Sequence, residues 1–386
     1  MNLANFAKRI NLLNENIVDL VLQKAGSDPN IISLAGGTPP FPIPDQIWNE
    51  LIAKTKDSPR YSQYSHDVLG DPILRKLVAI DLTKELGYSV DPEEILITVG
   101  SSSALFSSFL TFINLGDEVI FLSPGYPGNI AQIILAGGKV KYLNLNEKNG
   151  WDMDFNLIKQ AITDRTKLII FSEPSNPTGR IYSLNSKIQL SEIAKKNKLI
   201  VIADETYRSL IYENTIFRSI MTLKNATQTS ILIRSFSKDF SMSGFRLGYI
   251  YARKDFIQKL KAVHIAMNIC PPTISQELAK LIFLQKDNTY KEYVDEYDKR
   301  RKIMCKRLDR LNKLFSYFRP MGGFSIFVKY HKKISSMDFF EYLLKKVKVA
   351  VMPGVAFGPG GEGHFRITFA TSIEKINKAF DRIEKL

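Results

Sequence analysis

Six short apolar runs, set apart by helical and turn segments, constrain this chain more than any other feature. They occupy residues 95–99, 119–122, 140–143, 168–171, 199–202 and 231–233. β-Branched and other apolar residues dominate them, without the polar alternation of a strand that wets one face. Segments of helical period such as 187–197 separate most of the runs. Apolar strands between helices predict an α/β chain whose mostly parallel sheet is covered on both faces. A further run, 248–252, reads as an antiparallel edge strand. In sheets of this kind ligands bind beyond the carboxyl ends of the strands, so chemistry is to be sought there.

A length of 386 residues, 45% of them hydrophobic, supports a large core and two domains. Residues 1 to about 30 read as one or two amphipathic helices, closed by Gly26-Ser27-Asp28-Pro29. After residue 252 helical segments run to about 314, and a smaller unit follows. The net charge of +14 raises the question of nucleic acid. The lysines are dispersed, however, and the densest cluster, Lys299-Arg300-Arg301-Lys302, sits among Glu296, Asp298 and Asp309 as a solvated helix face. A nucleic-acid partner is therefore not expected. Cys270 and Cys305 make no disulfide framework, which fits a reducing compartment. The four histidines form no cluster, and no metal site is expected. With no apolar leader segment and no apolar run of membrane-spanning length, a cytoplasmic protein is expected, with no membrane partner.

The polar motifs gather at the ends of the strand-like runs. Ser235-Phe236-Ser237-Lys238 follows the run at 230–234, and Ser243-Gly244-Phe245-Arg246-Leu247-Gly248 comes just after it. A lysine beside hydroxyls and an arginine suggests an anionic cofactor next to an amine. Desolvation and cationic neighbours strip the proton from such an amine, which can then form a Schiff base with an aldehyde. Gly100-Ser101-Ser102-Ser103 opens a helix after the first strand, and its free N–H groups, hydroxyls and dipole suit a phosphate. Asp204, in Ala203-Asp204-Glu205-Thr206-Tyr207, ends an apolar strand where a carboxylate is costly unless paired. Arg366 lies within the alternating run 364–370, where an inward charge needs a partner. Each motif alone also has an ordinary reading: a serine cap, a turn, a surface lysine. Their common position at strand ends argues against that reading.

Taken together, these segments resemble the pyridoxal-phosphate-dependent aminotransferases of class I/II, in the aspartate-aminotransferase fold family (fold type I). The resemblance runs from Ile31 to the end of the chain. It also takes in Ala35-Gly36-Gly37-Thr38-Pro39, Tyr61-Ser62-Gln63-Tyr64, Ser123-Pro124-Gly125-Tyr126-Pro127 and Asn176-Pro177-Thr178-Gly179. Met321-Gly322-Gly323-Phe324 and Val351-Met352-Pro353-Gly354 extend it into the smaller unit. It implies a mostly parallel seven-stranded sheet flanked by helices, with a smaller α/β C-terminal domain. The implied partition is an N-terminal segment at 1–47, a large cofactor domain at 48–285 and a small domain at 286–386.

The cofactor it implies is pyridoxal 5'-phosphate, held as a Schiff base on Lys238. Ser101, Ser102, Ser235, Ser237 and Arg246 would hold its phosphate and Tyr126 would stack on its ring. Asn176 and Tyr207 would bond its phenolic oxygen, and Asp204 would pair with the ring nitrogen. Lys238, Asp204 and Tyr207 are the implied catalytic residues. Gly37, Asn176 and Arg366 would bind the substrate, Gly37 and Arg366 at its carboxylate, with amino acids and 2-oxo acids as substrates. A tyrosine, Tyr64 or else Tyr61, would reach the phosphate of a neighbouring subunit, making the protein a homodimer with shared sites. These motifs bind a cofactor rather than choose its reaction, so a β/γ-lyase, decarboxylase or oxidase on the same fold is the alternative. Asp239, directly after the lysine, is an unusual neighbour that adds to that alternative.

Overall fold

The computed structural model describes residues 6–13, 16–285 and 289–386. The six apolar runs and 248–252 form one seven-stranded sheet. Across the sheet the order is Ile95–Thr98, Gly248–Tyr251, Ser230–Ser235, Ile200–Asp204, Thr166–Ser172, Glu118–Ser123 and Lys139–Asn144. All neighbours are parallel except at Gly248–Tyr251, which runs antiparallel to both strands beside it. The expectation of an edge position for this strand is thus overturned. Gly248 stands opposite Thr98 on one side and Ser235 on the other. The edges are Ile95–Thr98 and Lys139–Asn144, and the second of these carries charged Lys139 and Lys141, as exposed edges commonly do.

Alternate residues of the central strands feed two separate cores. Ile202, Ile231 and Ile233 join the core on one face, with Phe109 and Leu260 from the covering helices. Val201, Ala203 and Leu232 join the larger core on the other. This double burial is why the strands read as unbroken apolar runs.

A four-stranded antiparallel sheet comes next, in the order Met352–Pro353, His364–Thr368, Ser325–Tyr330, Phe315–Tyr317. Ile32–Ser33 pairs in parallel with Val349–Ala350, so the N-terminal stretch is sewn to the C-terminal unit. Of the helices expected over 1–30, residues 1–5, 14 and 15 lie outside the described residues. Lys8–Leu12 forms a 3-10 turn, and Ile17–Gly26 is an α-helix opened by the Asn16 side chain, which accepts the Val18 and Asp19 N–H groups.

The basic cluster is only half as expected. Lys299 and Lys302 are solvated, but Arg301 is buried and pairs with Glu213 at 2.6 Å and Asp298 at 2.7 Å. Arg300 binds Glu296 at 2.9 Å and lies over the Phe41 ring. A guanidinium whose donors are met can be buried where an ammonium would stay in water. Cys270 and Cys305 are free thiols. No described helix is long and apolar enough to cross a membrane.

Candidate active site

The strand Ser230–Ser235 ends in a helix cap. The Ser235 hydroxyl accepts the Ser237 N–H at 3.1 Å and starts the one-turn helix Phe236–Asp239. This turn lifts Lys238 out of the sheet. Its Nζ donates to the Gly37 carbonyl at 2.6 Å and sits 5.5 Å from the centre of the Phe324 ring. Burial first, then the charges of Arg366 and Arg246, push the amine down to about 8. A sizeable neutral fraction is therefore present near physiological pH, as a nucleophile or base requires.

One strand over, Asp204 closes Ile200–Asp204. Its Oδ1 accepts the Thr206 N–H at 3.2 Å and the Thr206 hydroxyl at 2.5 Å. Among the described residues no cation pairs with it, and burial pushes its carboxyl up to about 6. Tyr207, three residues on, packs edge-on against Phe324 with ring centres 5.1 Å apart, and burial raises its phenol. Tyr126 caps the start of helix Pro127–Leu135 and feels the charges of Asp204, Arg366 and Arg246.

Arg366 enters from the second sheet, where it stands opposite Phe327 and Met352. Its Nη1 donates to Asn176 Oδ1 at 3.1 Å and its Nη2 to the Ala35 carbonyl at 2.7 Å. The Nε is buried without a hydrogen-bond partner, and the guanidinium lies 5.1 Å from the Phe357 ring centre. No carboxylate pairs with this arginine among the described residues, and burial lowers its pKa. A buried fork held by neutral oxygens, with donors to spare, suits a carboxylate.

At the far corner helix Gly100–Phe112 begins. Gly100 has φ +73°, and a Cβ there would lie 2.6 Å from Arg246 Nη2. A Cβ on Gly248 would come within 2.8 Å of the Ser101 nitrogen. The two glycines thus let a guanidinium sit against a helix N-terminus. Arg246 holds a left-handed φ of +52° and donates to the Ser243 carbonyl at 2.8 Å. Strain at a non-glycine residue is tolerated where the surroundings over-determine it. Free N–H groups, a dipole and a guanidinium together attract an anion such as phosphate. The Ser102 hydroxyl accepts from Gln132 at 3.0 Å, and the Ser102 backbone N–H lies in the helix's first turn.

The fold thus brings Lys238, Asp204, Tyr207, Tyr126, Asn176, Arg366, Gly37, Arg246, Ser101, Ser102, Ser235 and Ser237 to one end of the large sheet. Tyr64 is not among them. It is 71% exposed and lines a separate cleft of about 390 Å³ with Arg60, Tyr61, Thr273 and Glu277. Sequence reading missed Phe324 as the hub that touches Gly37, Lys238 and Tyr207. Its Gly-Gly-Phe segment was visible, but nothing local says where the ring goes. Also missed were the charged side chains behind the site, Glu85, Glu205, Arg208 and Arg234.

Residues 29–383 match the family described as aminotransferase class I and II. The chain is 33% identical over 383 residues to the aspartate aminotransferase of Pyrococcus abyssi, covering 98% of this chain and 97% of that protein. It is 31% identical over 382 residues to aromatic-amino-acid aminotransferase 2 of Thermococcus litoralis, with coverage of 98% and 97%. The structure of Thermus thermophilus aspartate aminotransferase with maleate superposes at a TM-score of 0.90, with 28% identity, over 99% of this chain and 100% of that one.

Proposed function

Because the chain belongs to the class I and II aminotransferases, we propose that Lys238 is the amine that carries its cofactor and moves the substrate's α-proton. The enzyme is a transferase of fold type I, and its class depends on pyridoxal phosphate and acts on amino and oxo acids. The observation that carries the residue assignment is the half-buried Lys238 amine, which donates to the Gly37 carbonyl and is pushed down to about 8 by burial and by the charges of Arg366 and Arg246.

The residues fit the cofactor. Asp204, without a cation, matches a protonated ring nitrogen, and the corner made by Ser101, Ser102, Ser235, Ser237 and Arg246 matches a phosphate. Tyr126 would stack on the ring, and Asn176 with Tyr207 would hold its phenolic oxygen. When bound, pyridoxal phosphate supplies an aldehyde that condenses with amines and a pyridinium that draws electrons from the substrate's α-carbon.

The rest falls to the chain. Arg366 grips the substrate carboxylate and, with Gly37, fixes which α-carbon bond faces Lys238. Lys238 Nζ would take the α-proton and deliver it to the cofactor's aldehyde carbon, across the nitrogen from the α-carbon, which its lowered pKa permits in both directions. Asp204 would keep the ring nitrogen protonated, and the Phe324 ring lies 5.5 Å from the Lys238 amine as an apolar wall.

We further assign the chain to cytoplasmic homodimers with shared sites, without a nucleic-acid or membrane partner. The exposed ring of Tyr64 supports an inter-subunit role over that of Tyr61, which packs beside Glu277. Free thiols support a reducing compartment. The partition at 1–47, 48–285 and 286–386 is supported by the pairing of Ile32–Ser33 with the C-terminal unit.

Borohydride reduction of the purified protein followed by peptide mapping tests the central assignment. The reduced cofactor should appear on the Lys238 peptide, and its recovery on another lysine would overturn the proposal.

A further inference from the structure

Three residues of the site have chain neighbours that point the other way, into a buried charge cluster. Glu205 follows Asp204, Arg208 follows Tyr207 and Asp239 follows Lys238. The fully buried Arg234 binds Glu205 at 2.7 Å and Glu85 at 2.6 Å. Arg208 binds Glu85 and Asp81, each at 2.8 Å, and its Nε lies 3.5 Å from Asp239 Oδ2. Among the described residues, that Nε makes no hydrogen bond, and neither does the buried Asp239 Oδ1. The Asp239 side chain is only 3% exposed.

The cluster carries four carboxylates to two guanidinium groups, and Asp239 meets Arg208 at 3.5 Å and Ser209. Arg208 and Arg234 face Asp239 and lower its pKa, as does Ser209, but burial outweighs them and pushes the carboxyl up to about 6. Tyr249, Asp81, Glu85 and Glu205 complete the charged and titratable surroundings through the two arginines. An acid raised in the fold stabilises it at low pH and loses that contribution as pH rises from near 3.8 through about 6. At pH 7.5 Asp239 thus costs stability. A buried charge kept at such a cost, one residue from the amine, calls for a function.

Building on the reading of Lys238 as the cofactor lysine, we propose that Asp239 and Arg208 form a positioning strut. It ties the turn that carries Lys238 to the segment that carries Asp204 and Tyr207, and so holds the Lys238 amine at the Gly37 carbonyl. The turn Phe236–Asp239 is a single helical turn whose own hydrogen bonds, Ser237 N–H to the Ser235 hydroxyl and Phe240 N–H to the Phe236 carbonyl, do not reach the Asp204–Tyr207 segment. Asp239 touches no reacting atom and acts only through the placement of its neighbour.

The test is Asp239→Asn in the full-length holoenzyme, a change of charge with little change of shape. We expect kcat to fall about tenfold with KM nearly unchanged, since small misplacement of a catalytic group is costly. Melting temperature at pH 7.5 should stay level or rise, because the costly charge is gone. In the cofactor-free chain, trace acetylation followed by peptide mass analysis should show Lys238 modified severalfold faster, its amine no longer held at Gly37. Arg208→Lys, which keeps a charge but not the span, should share the kcat loss and the faster labelling. Wild-type kcat and labelling in Asp239→Asn overturns the strut. So does a kcat loss that merely follows a lowered melting temperature, which would make Asp239 structural. Borohydride mapping of the wild type keeps the two claims apart. If the cofactor is on Lys238 and Asp239→Asn behaves as wild type, only the strut fails.

Discussion

Asp204 and Glu205 are adjacent, both acidic and both buried, yet they are treated in opposite ways. Glu205 receives Arg234 and the Ser219 hydroxyl at 2.6 Å. Among the described residues Asp204 receives only Thr206 and no cation, and burial raises its carboxyl to about 6. Arg366 and Arg234 repeat the contrast. Arg234 is held by two carboxylates, while Arg366 rests on an amide and a carbonyl oxygen with its Nε unbonded. Burial alone therefore does not mark a functional charge. What separates the ligand side from the frame side is whether the chain itself supplies the counter-charge.

This contrast can be broken from either side. The largest effect is expected at Lys238→Ala, where kcat should fall by about 10⁴-fold as the proton carrier is lost. A turnover assay with reconstituted cofactor reads it, and retention of a tenth of the activity would remove Lys238 from the mechanism. On the frame side, Arg234→Met leaves the buried Glu205 without its cation and Glu85 with Arg208 alone. That should cost about 3–5 kcal/mol in urea unfolding, with the kcat of folded enzyme nearly intact. Full stability would show that the cluster is not held together by this arginine.

Asp204→Asn should behave in the reverse sense. Its kcat should drop by about 10²-fold, because a charge aimed at the ring is gone. The cofactor-free variant should be at least as stable as wild type at pH 7.5, since an acid raised to about 6 pays for ionising above that pH. A marked loss of stability would place Asp204 with the frame instead.

Smaller effects sharpen the picture. Arg366→Lys keeps the charge but not the fork, so KM for the amino acid should rise about tenfold while kcat changes less. An unchanged KM would mean the carboxylate binds elsewhere. The smallest concerns Glu147, where the His364 ring 3.5 Å away and a hydrogen bond from Lys329 at 2.9 Å hold the carboxyl down near 2, against burial. A depressed acid stabilises above its ordinary pKa, and the contribution disappears as pH falls through about 2. Glu147→Gln should cost about 1 kcal/mol at pH 7, a discounted figure for a partly exposed pair, and flatten the loss of stability between pH 4.5 and 2. Parallel acid-unfolding curves would rule this contribution out.

The sequence alone determined which segments are strands, that both faces of the sheet are buried, and which end bears the chemistry. Period and apolar content are local, and a strand covered on two sides has no freedom to hide that fact. Asp204 and Arg366 stood out as charges where the local pattern called for apolar residues, and Lys238 stood out through its flanking hydroxyls and the arginine that follows. Only the tertiary structure decided that Gly248–Tyr251 lies inside the sheet, because a fully apolar strand carries no mark of its neighbours. It also decided that Arg301 is buried, through Glu213, 88 residues away in sequence. Phe324 meets Lys238, and Arg208 meets Asp239, through returns of the chain that no local period encodes. Whether a buried charge belongs to the frame or to the ligand depends on such distant partners, and that distinction enters only with the fold.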